Sequence, residues 1–272
     1  SQTNLGLVYR SLARQESKSE NLAAAIAAYR NALEKTARET EPLSWAVIQN
    51  NLAEALLTQG ELTGDKTVLT QALAAIDAAL EEVSQTQFRQ QWTSAQNNHG
   101  NILLTLGELD GDPSKLEEAA RVHERLLTAL NRTEAPLEWA RIQNNLGNDL
   151  RIIAATESGT DKLRRAITAF KAALEERTRE RTPLDWAQSQ SNLGAALSLL
   201  SRRESDPALR EEALAAYQAA LEVATRTTAP MQWARTQFNL ASTLKSNTTE
   251  PPASLSLNNE LHSANATVRA AC

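Results

Sequence analysis

The sequence predicts an all-α chain, an α-solenoid of stacked antiparallel helix pairs, on three observations. Tryptophan stands at Trp45, Trp92, Trp139, Trp186 and Trp233, each 47 residues after the last. Two amides keep the same period in six copies: Gln2, Gln49, Gln96, Gln143, Gln190 and Gln237, and Asn4, Asn51, Asn98, Asn145, Asn192 and Asn239. Apolar residues between these marks recur every three or four positions, which is helical spacing. A fixed period of this length marks a repeat array. No insertion or deletion disturbs it, so every unit repeats one local geometry and the array presents one continuous groove.

One unit shows why each element forms. Pro136-Leu137-Glu138-Trp139 opens a first helix, A, because proline is tolerated in a first helical turn. Pro42, Pro183 and Pro230 hold the same phase, whereas Arg89 stands there in one unit, whose helix start is expected to be looser. The apolar stripe of helix A is Trp139, Ile142, Leu146, Leu150 and Ile153. Gly147 and its counterparts Gly6, Ala53, Gly100, Gly194 and Ala241 are all small. Glycine costs about 1 kcal/mol inside a helix, so close helix–helix approach is the expected compensation.

A polar connector follows. Asp65, Asp112 and Asp206 end it as N-caps, with Pro113 and Pro207 at the first helical position of two of them. Asp110-Gly111-Asp112 has the opening of a calcium loop but lacks its remaining ligands, so no metal is expected there. The second helix, B, carries Leu163, Ala166, Phe170, Ala173 and Leu174. Its large central residue is Tyr29, Ile76, His123, Phe170 or Tyr217 in successive units, set between recurring alanines and leucines. Small beside large is what interlocking helices need.

The array is expected over residues 1–246, as a partial first unit 1–41 and units starting near 42, 89, 136, 183 and 230. The chain opens inside a helix of the repeat frame and without Met, as a fragment of a longer array would. That exposed half-unit gives end-to-end self-association a route. Residues 247–272 read as a linker and a degenerate capping helix, since terminal repeats need a more polar outer face.

Net charge is −5, from 28 basic and 33 acidic residues, which argues against a nucleic-acid partner. Cys272 is the one cysteine, so no internal disulfide forms and no oxidising compartment is required; a cytoplasmic location is expected. No apolar run of about 18 residues exists, so no membrane partner is expected. The triplets at Asn131, Asn247 and Asn265 match glycosylation acceptors but lack a secretory context. No nucleophile–base pair, metal cluster or phosphate-binding glycine loop is present, so neither catalysis nor a cofactor is expected within these residues.

The residues Leu146-Gly147, Ala166, Phe170 and Ala173 resemble the signature of the tetratricopeptide repeat: Leu-Gly on the first helix, Ala-aromatic-Ala on the second. The unit is longer than the family's usual 34 residues. Asn-Asn-Leu-Gly and Asn-Asn-Leu-Ala runs resemble the longer repeats of kinesin light chains, and similar long-unit arrays occur in bacterial multidomain proteins. The resemblance implies a right-handed superhelix whose concave surface is lined by helix A. On that surface it places Arg141, Asn144, Asn145, Asn148, Arg151 and Ile152, with counterparts Asn50, Asn51, Glu54, Asn97, Asn98, Asn101, Asn192, Arg235, Phe238, Asn239 and Lys245.

An asparagine ladder has two uses. Its amides offer donor and acceptor together and can hold a peptide backbone. They can equally bond neighbouring helices and set the pitch of the array. The expected peptide-binding residues are therefore Asn51, Asn98, Asn101, Asn144, Asn145, Asn148, Asn192, Asn239, Arg141, Arg151, Arg235 and Phe238. Arg10, Arg141, Arg151, Arg235 and Lys245 face one acid, Glu54, which favours an acidic peptide. Family members that clamp chaperone tails use Lys, Asn and Arg, and this chain has no Lys on the matching part of helix A. The sequence thus favours a non-catalytic scaffold that binds a protein or an extended peptide. The other reading is the sensor arm of a larger signalling, protease-linked or NTPase-linked protein. His99 and His123 break the pattern inside one core, replacing a leucine and the helix B aromatic. They suit a pair of satisfied core imidazoles, a pH-sensitive joint or a metal, although a zinc site needs more ligands than these two.

Overall fold

The computed structural model describes residues 19–245, and the expectations for Gln2, Asn4, Arg10 and the segment 247–272 lie outside them. Among the described residues there are ten α-helices and no strands. The chain divides between Thr128 and Ala129 into two compact units. The first holds α1 (Ser19–Leu33), α2 (Pro42–Thr63), α3 (Lys66–Glu82), α4 (Arg89–Asp110) and α5 (Pro113–Ala129), the boundary falling at the last residue of α5. The second holds α6 (Pro136–Ala155), α7 (Asp161–Glu176), α8 (Pro183–Glu204), α9 (Pro207–Val223) and α10 (Pro230–Lys245). In each unit, short connectors fold successive helices back on one another. Helices A pack on the helix B that follows, α2 on α3, α6 on α7 and α8 on α9. Within each unit a helix B packs on the helix A that follows, α1 on α2, α3 on α4, α7 on α8 and α9 on α10, and helices A also touch directly, α2 with α4 and α6 with α8. This is α-solenoid packing, because a hairpin can bury both its apolar faces only between neighbours.

The connectors show why the helices stop where they do. The αL residue that ends a helix leaves its amide free to reach back, and glycine reaches αL without steric cost. Gly64 (φ 68°) donates to Gly60 O, and Gly111 (φ 62°) donates to Gly107 O. Ser205 takes the same conformation at φ 53°, which a residue with a Cβ does only at some cost. Asp65, Asp112 and Asp206 then accept from the backbone N–H two residues on, at 2.8–2.9 Å, as N-caps. Lys115 Nζ sits 3.0 Å from Asp110 Oδ2 and 2.7 Å from Asp112 Oδ2, and Lys66 also pairs with Asp110. Ammonium groups thus occupy the carboxylates of the calcium-like loop.

The helix A that lacks proline is not looser. Phe88 N donates to Ser84 O (2.9 Å) and Trp92 N to Phe88 O (2.8 Å). The same two bonds, within 0.1 Å, precede and open α6 at Ala135 and Trp139. The turn before the helix fixes its entry, and proline is dispensable there.

The small helix A residues serve close approach. A Cβ on Gly147 would lie 2.7 Å from the buried Phe170 ring, one on Gly194 2.8 Å from the Tyr217 ring, and one on Gly100 2.7 Å from the His123 imidazole. Real carbon contacts at that distance are repulsive, so larger residues here would force the hairpins apart. Phe170 and Tyr217, which fill the slots at Gly147 and Gly194, are buried to 1 % exposure or less, and Tyr29 and Ile76 are buried as deeply.

Candidate functional site

Helix A positions its amides in the seam between successive helices A. In the first unit Asn98 Nδ2 donates to Asn50 Oδ1 at 2.9 Å, from α4 to α2. In the second, Asn192 Nδ2 donates to Asn144 Oδ1 at 3.3 Å, from α8 to α6. Both bonds span 48 residues, one period plus one. Asn144 Oδ1 also accepts from Ser189 Oγ at 3.1 Å. Between α8 and α10 hydroxyls take over: Ser191 Oγ meets Thr236 Oγ1 at 2.9 Å, and Ser198 Oγ meets Thr243 Oγ1 at 2.8 Å.

This burial sorts the expected site residues. Asn51, Asn98 and Asn144 are buried, and the latter two amides are engaged between helices. Ile152, expected on the groove face, is also buried. Asn101 in the first unit is half-buried. So are Asn145, Asn148, Asn192, Asn239, Arg141, Arg151 and Phe238 in the second, while Arg235 is exposed. Arg151 donates to Asn148 Oδ1 at 2.8 Å, and Arg141 pairs with Glu138 at 3.2 Å one turn away.

Beside the seam of the first unit lies a recess of about 310 Å³, between α2, α3 and α4. Val47, Asn50, Asn51, Val83, Gln91 and Ser94 are among its walls. It is apolar at Val47 and Val83 and amide-lined at Asn50 and Asn51. That combination suits a side chain anchored beside a hydrogen-bonded backbone.

In the repeat frame, the second unit replaces Val47 by Arg141 and Val83 by Arg177. Arg177 follows the last residue of α7, and its N–H donates to Ala173 O at 3.0 Å. Its side chain turns inward to 5 % exposure, and Nη1 donates to Ser189 Oγ at 3.1 Å. Burial pushes this guanidinium below the ordinary arginine range; nearby Asp185 opposes the shift and Arg141 adds to it. Sequence reasoning passed over Arg177, because a cation just after a helix reads as a solvated cap. The signal available was the phase, where Val83, Leu130 and Ala224 are all apolar.

The tryptophans carry a second feature that was missed. Arg38 stacks 4.7 Å over Trp45, Arg132 4.6 Å over Trp139, and Arg179 5.8 Å over Trp186. Arg38 also forks onto Glu81 and Glu82 of α3, and Arg132 onto Glu175 and Glu176 of α7, while Arg179 meets Glu222 of α9. Each arginine thus ties the turn before one helix A to the helix B that follows it. The repeat frame held the clue: where Gln85 replaces the arginine, Thr128 and Ala129 replace both acids.

His99 Nε2 lies 3.4 Å from Asp77 Oδ1. Burial still holds its imidazole below the usual histidine range, because the exposed Asp77 is screened by water. Among the described residues no helix is long and apolar enough to cross a membrane.

No family model and no curated protein matches the chain. Among solved structures, the chain is similar to BtubC (BKLC) from P. vanneervenii, at 19 % identity, covering 92 % of this chain and 91 % of that one with a TM-score of 0.51. It is also aligned with a designed circular tandem repeat protein at 20 % identity, covering 90 % of this chain and 64 % of that one, with a TM-score of 0.36. The first likeness shows a helical-repeat fold.

Proposed function

We propose that the chain is a non-catalytic scaffold of the tetratricopeptide type that binds a protein or extended peptide along its helix A faces. What carries the reading is the contrast between the seam and the recess beside it. Constant amides such as Asn98 and Asn192 are spent between helices. The recess positions vary, with Val47 and Val83 in one unit and Arg141 and Arg177 in the other. A charge that only holds the array changes together with its partners, as Gln85 does with Thr128 and Ala129. The change from Val83 to Arg177, by contrast, brings no acid within ion-pair distance among the described residues, which suits a residue that reads a ligand. Specificity therefore rests with Val47, Arg141, Arg235 and Phe238, and the half-buried amides Asn101, Asn145, Asn148 and Asn239 supply backbone contacts.

A display selection of random dodecapeptides on the intact chain tests this, with Val47→Glu as the counter-variant. Recovered peptides should bind the parent chain, and some should lose affinity when a carboxylate enters the recess. A selection yielding no peptide sensitive to Val47→Glu, Arg141 or Phe238 substitution would overturn the assignment.

A further inference from the structure

Arg177 is anomalous in the energetics of the fold. A guanidinium carries five N–H donors and no acceptor, and buried charges in proteins are normally paired. Among the described residues, its side chain donates to one neutral hydroxyl, Ser189 Oγ, and no carboxylate stands within ion-pair distance. A residue of the size and polarity of Val83 would fill this place with no such penalty, as the chain itself demonstrates in its first unit. The buried cation is braced from beneath: Ser189 in turn donates a hydrogen bond to Asn144 Oδ1, which also accepts from Asn192 across the seam. Arg141, at the place of Val47, is the neighbouring cation whose charge Arg177 feels. Leu184, on the first turn of α8, is exposed beside it in the repeat frame, where the recess of the first unit has Gln90.

Resting on the peptide-scaffold reading, we propose that Arg177, with Arg141 beside it, is a carboxylate-binding subsite of the second unit. It takes an Asp or Glu side chain of the bound peptide. Carboxylate matches the fork of a guanidinium with two parallel bonds. The local charges also favour a monoanion over a doubly charged group. Arg177 and Arg141 face Glu138 and Asp185, so one entering negative charge is compensated by donors rather than by excess positive field. The exposed Leu184 suits an apolar residue next to the acid.

The test uses the full chain and three fluorescent dodecapeptides: a Ser/Leu/Glu peptide acetylated and amidated, its Ser/Leu/Gln analogue, and that analogue with a free terminal carboxylate. The Glu peptide should bind about tenfold or more tightly than the amidated Gln analogue. Arg177→Val, which installs the residue of the first unit, should remove that advantage, and Arg177→Lys should keep part of it. The Arg177 Nε–H resonance should move on adding the Glu peptide and not the amidated Gln analogue, a readout that needs no variant. Binding of the free-terminus analogue in place of the Glu peptide would reassign the pocket to a chain end and overturn the side-chain claim. Equal Glu-peptide affinity in the parent and in Arg177→Val would overturn the subsite while leaving the scaffold intact. Failure of the display selection as well would take the scaffold reading with it.

Discussion

The bond from Asn98 Nδ2 to Asn50 Oδ1 makes a quantitative claim about what the asparagine ladder is for. Asn98 is 6 % exposed and the bond is 2.9 Å long, so it forms largely out of water. Such a bond adds about 1 kcal/mol net, and deleting one partner costs up to about 2 kcal/mol more where the other is left dry. Asn50 is half-buried, so water reaches it once its donor is gone. Asn98→Ala should therefore destabilise the first unit by about 1 kcal/mol, and Asn50→Ala, which strands the buried Asn98 amide, by about 1–2 kcal/mol. If the two side chains act through each other, the double variant should fall short of the sum by about 1 kcal/mol. Repeat arrays need not unfold as one transition, so the measurement is hydrogen exchange of core amides in α2 and α4, which reports the opening energy of that unit. Additive single effects, with a coupling below about 0.3 kcal/mol, would refute the architectural role and return these amides to ligand binding.

Ser205→Gly should stabilise the chain by about 0.5–1 kcal/mol, because φ 53° costs serine what glycine does not lose; thermal melting reads the gain, and a loss would mean the serine hydroxyl matters more than its backbone. The His99→Leu, His123→Phe pair should raise the melting temperature, and more so as pH falls. His99 is held below its ordinary pKa by burial, with Asp77, Glu118, Arg125 and His123 around it, so its neutral form stabilises the fold above about pH 6.5 and that contribution is lost on acidification. No rise in melting temperature at pH 6 would sink the idea of a weak joint.

The elements were legible because their signals are local. Asp65, Asp112 and Asp206 cap helices within two residues of themselves, and Gly147 faces Phe170 as the small-beside-large pattern requires. The fate of the amides was not legible from one helix. Successive residues stand about 100° apart on a helix, so adjacent asparagines point into different sectors. Whether a sector meets solvent or the next helix A depends on a neighbour 47 residues away. Ile152 and Asn144 read as groove residues for that reason; both are buried, Asn144 in the seam. Arg89 misleads differently: proline reads as the cause of the helix start, whereas the preceding turn sets it. Arg177 escaped because its helical unit, viewed alone, offers a soluble-looking end; only comparison with Val83 and Ala224 marks it.

The seam bonds also carry a direction. In both units the donor amide belongs to the later helix and the acceptor to the earlier one, offset by the same 48 residues. A helix pair therefore has two unlike faces, one that gives and one that receives, as a plug differs from a socket. A stack assembled from such pairs extends in one sense, because a pair inserted upside down would carry its first and second asparagine rows away from the rows they meet. Apolar layers would tolerate that inversion or a slipped register. The polar rungs do not, and this lets many near-identical units coexist in one chain without mispairing.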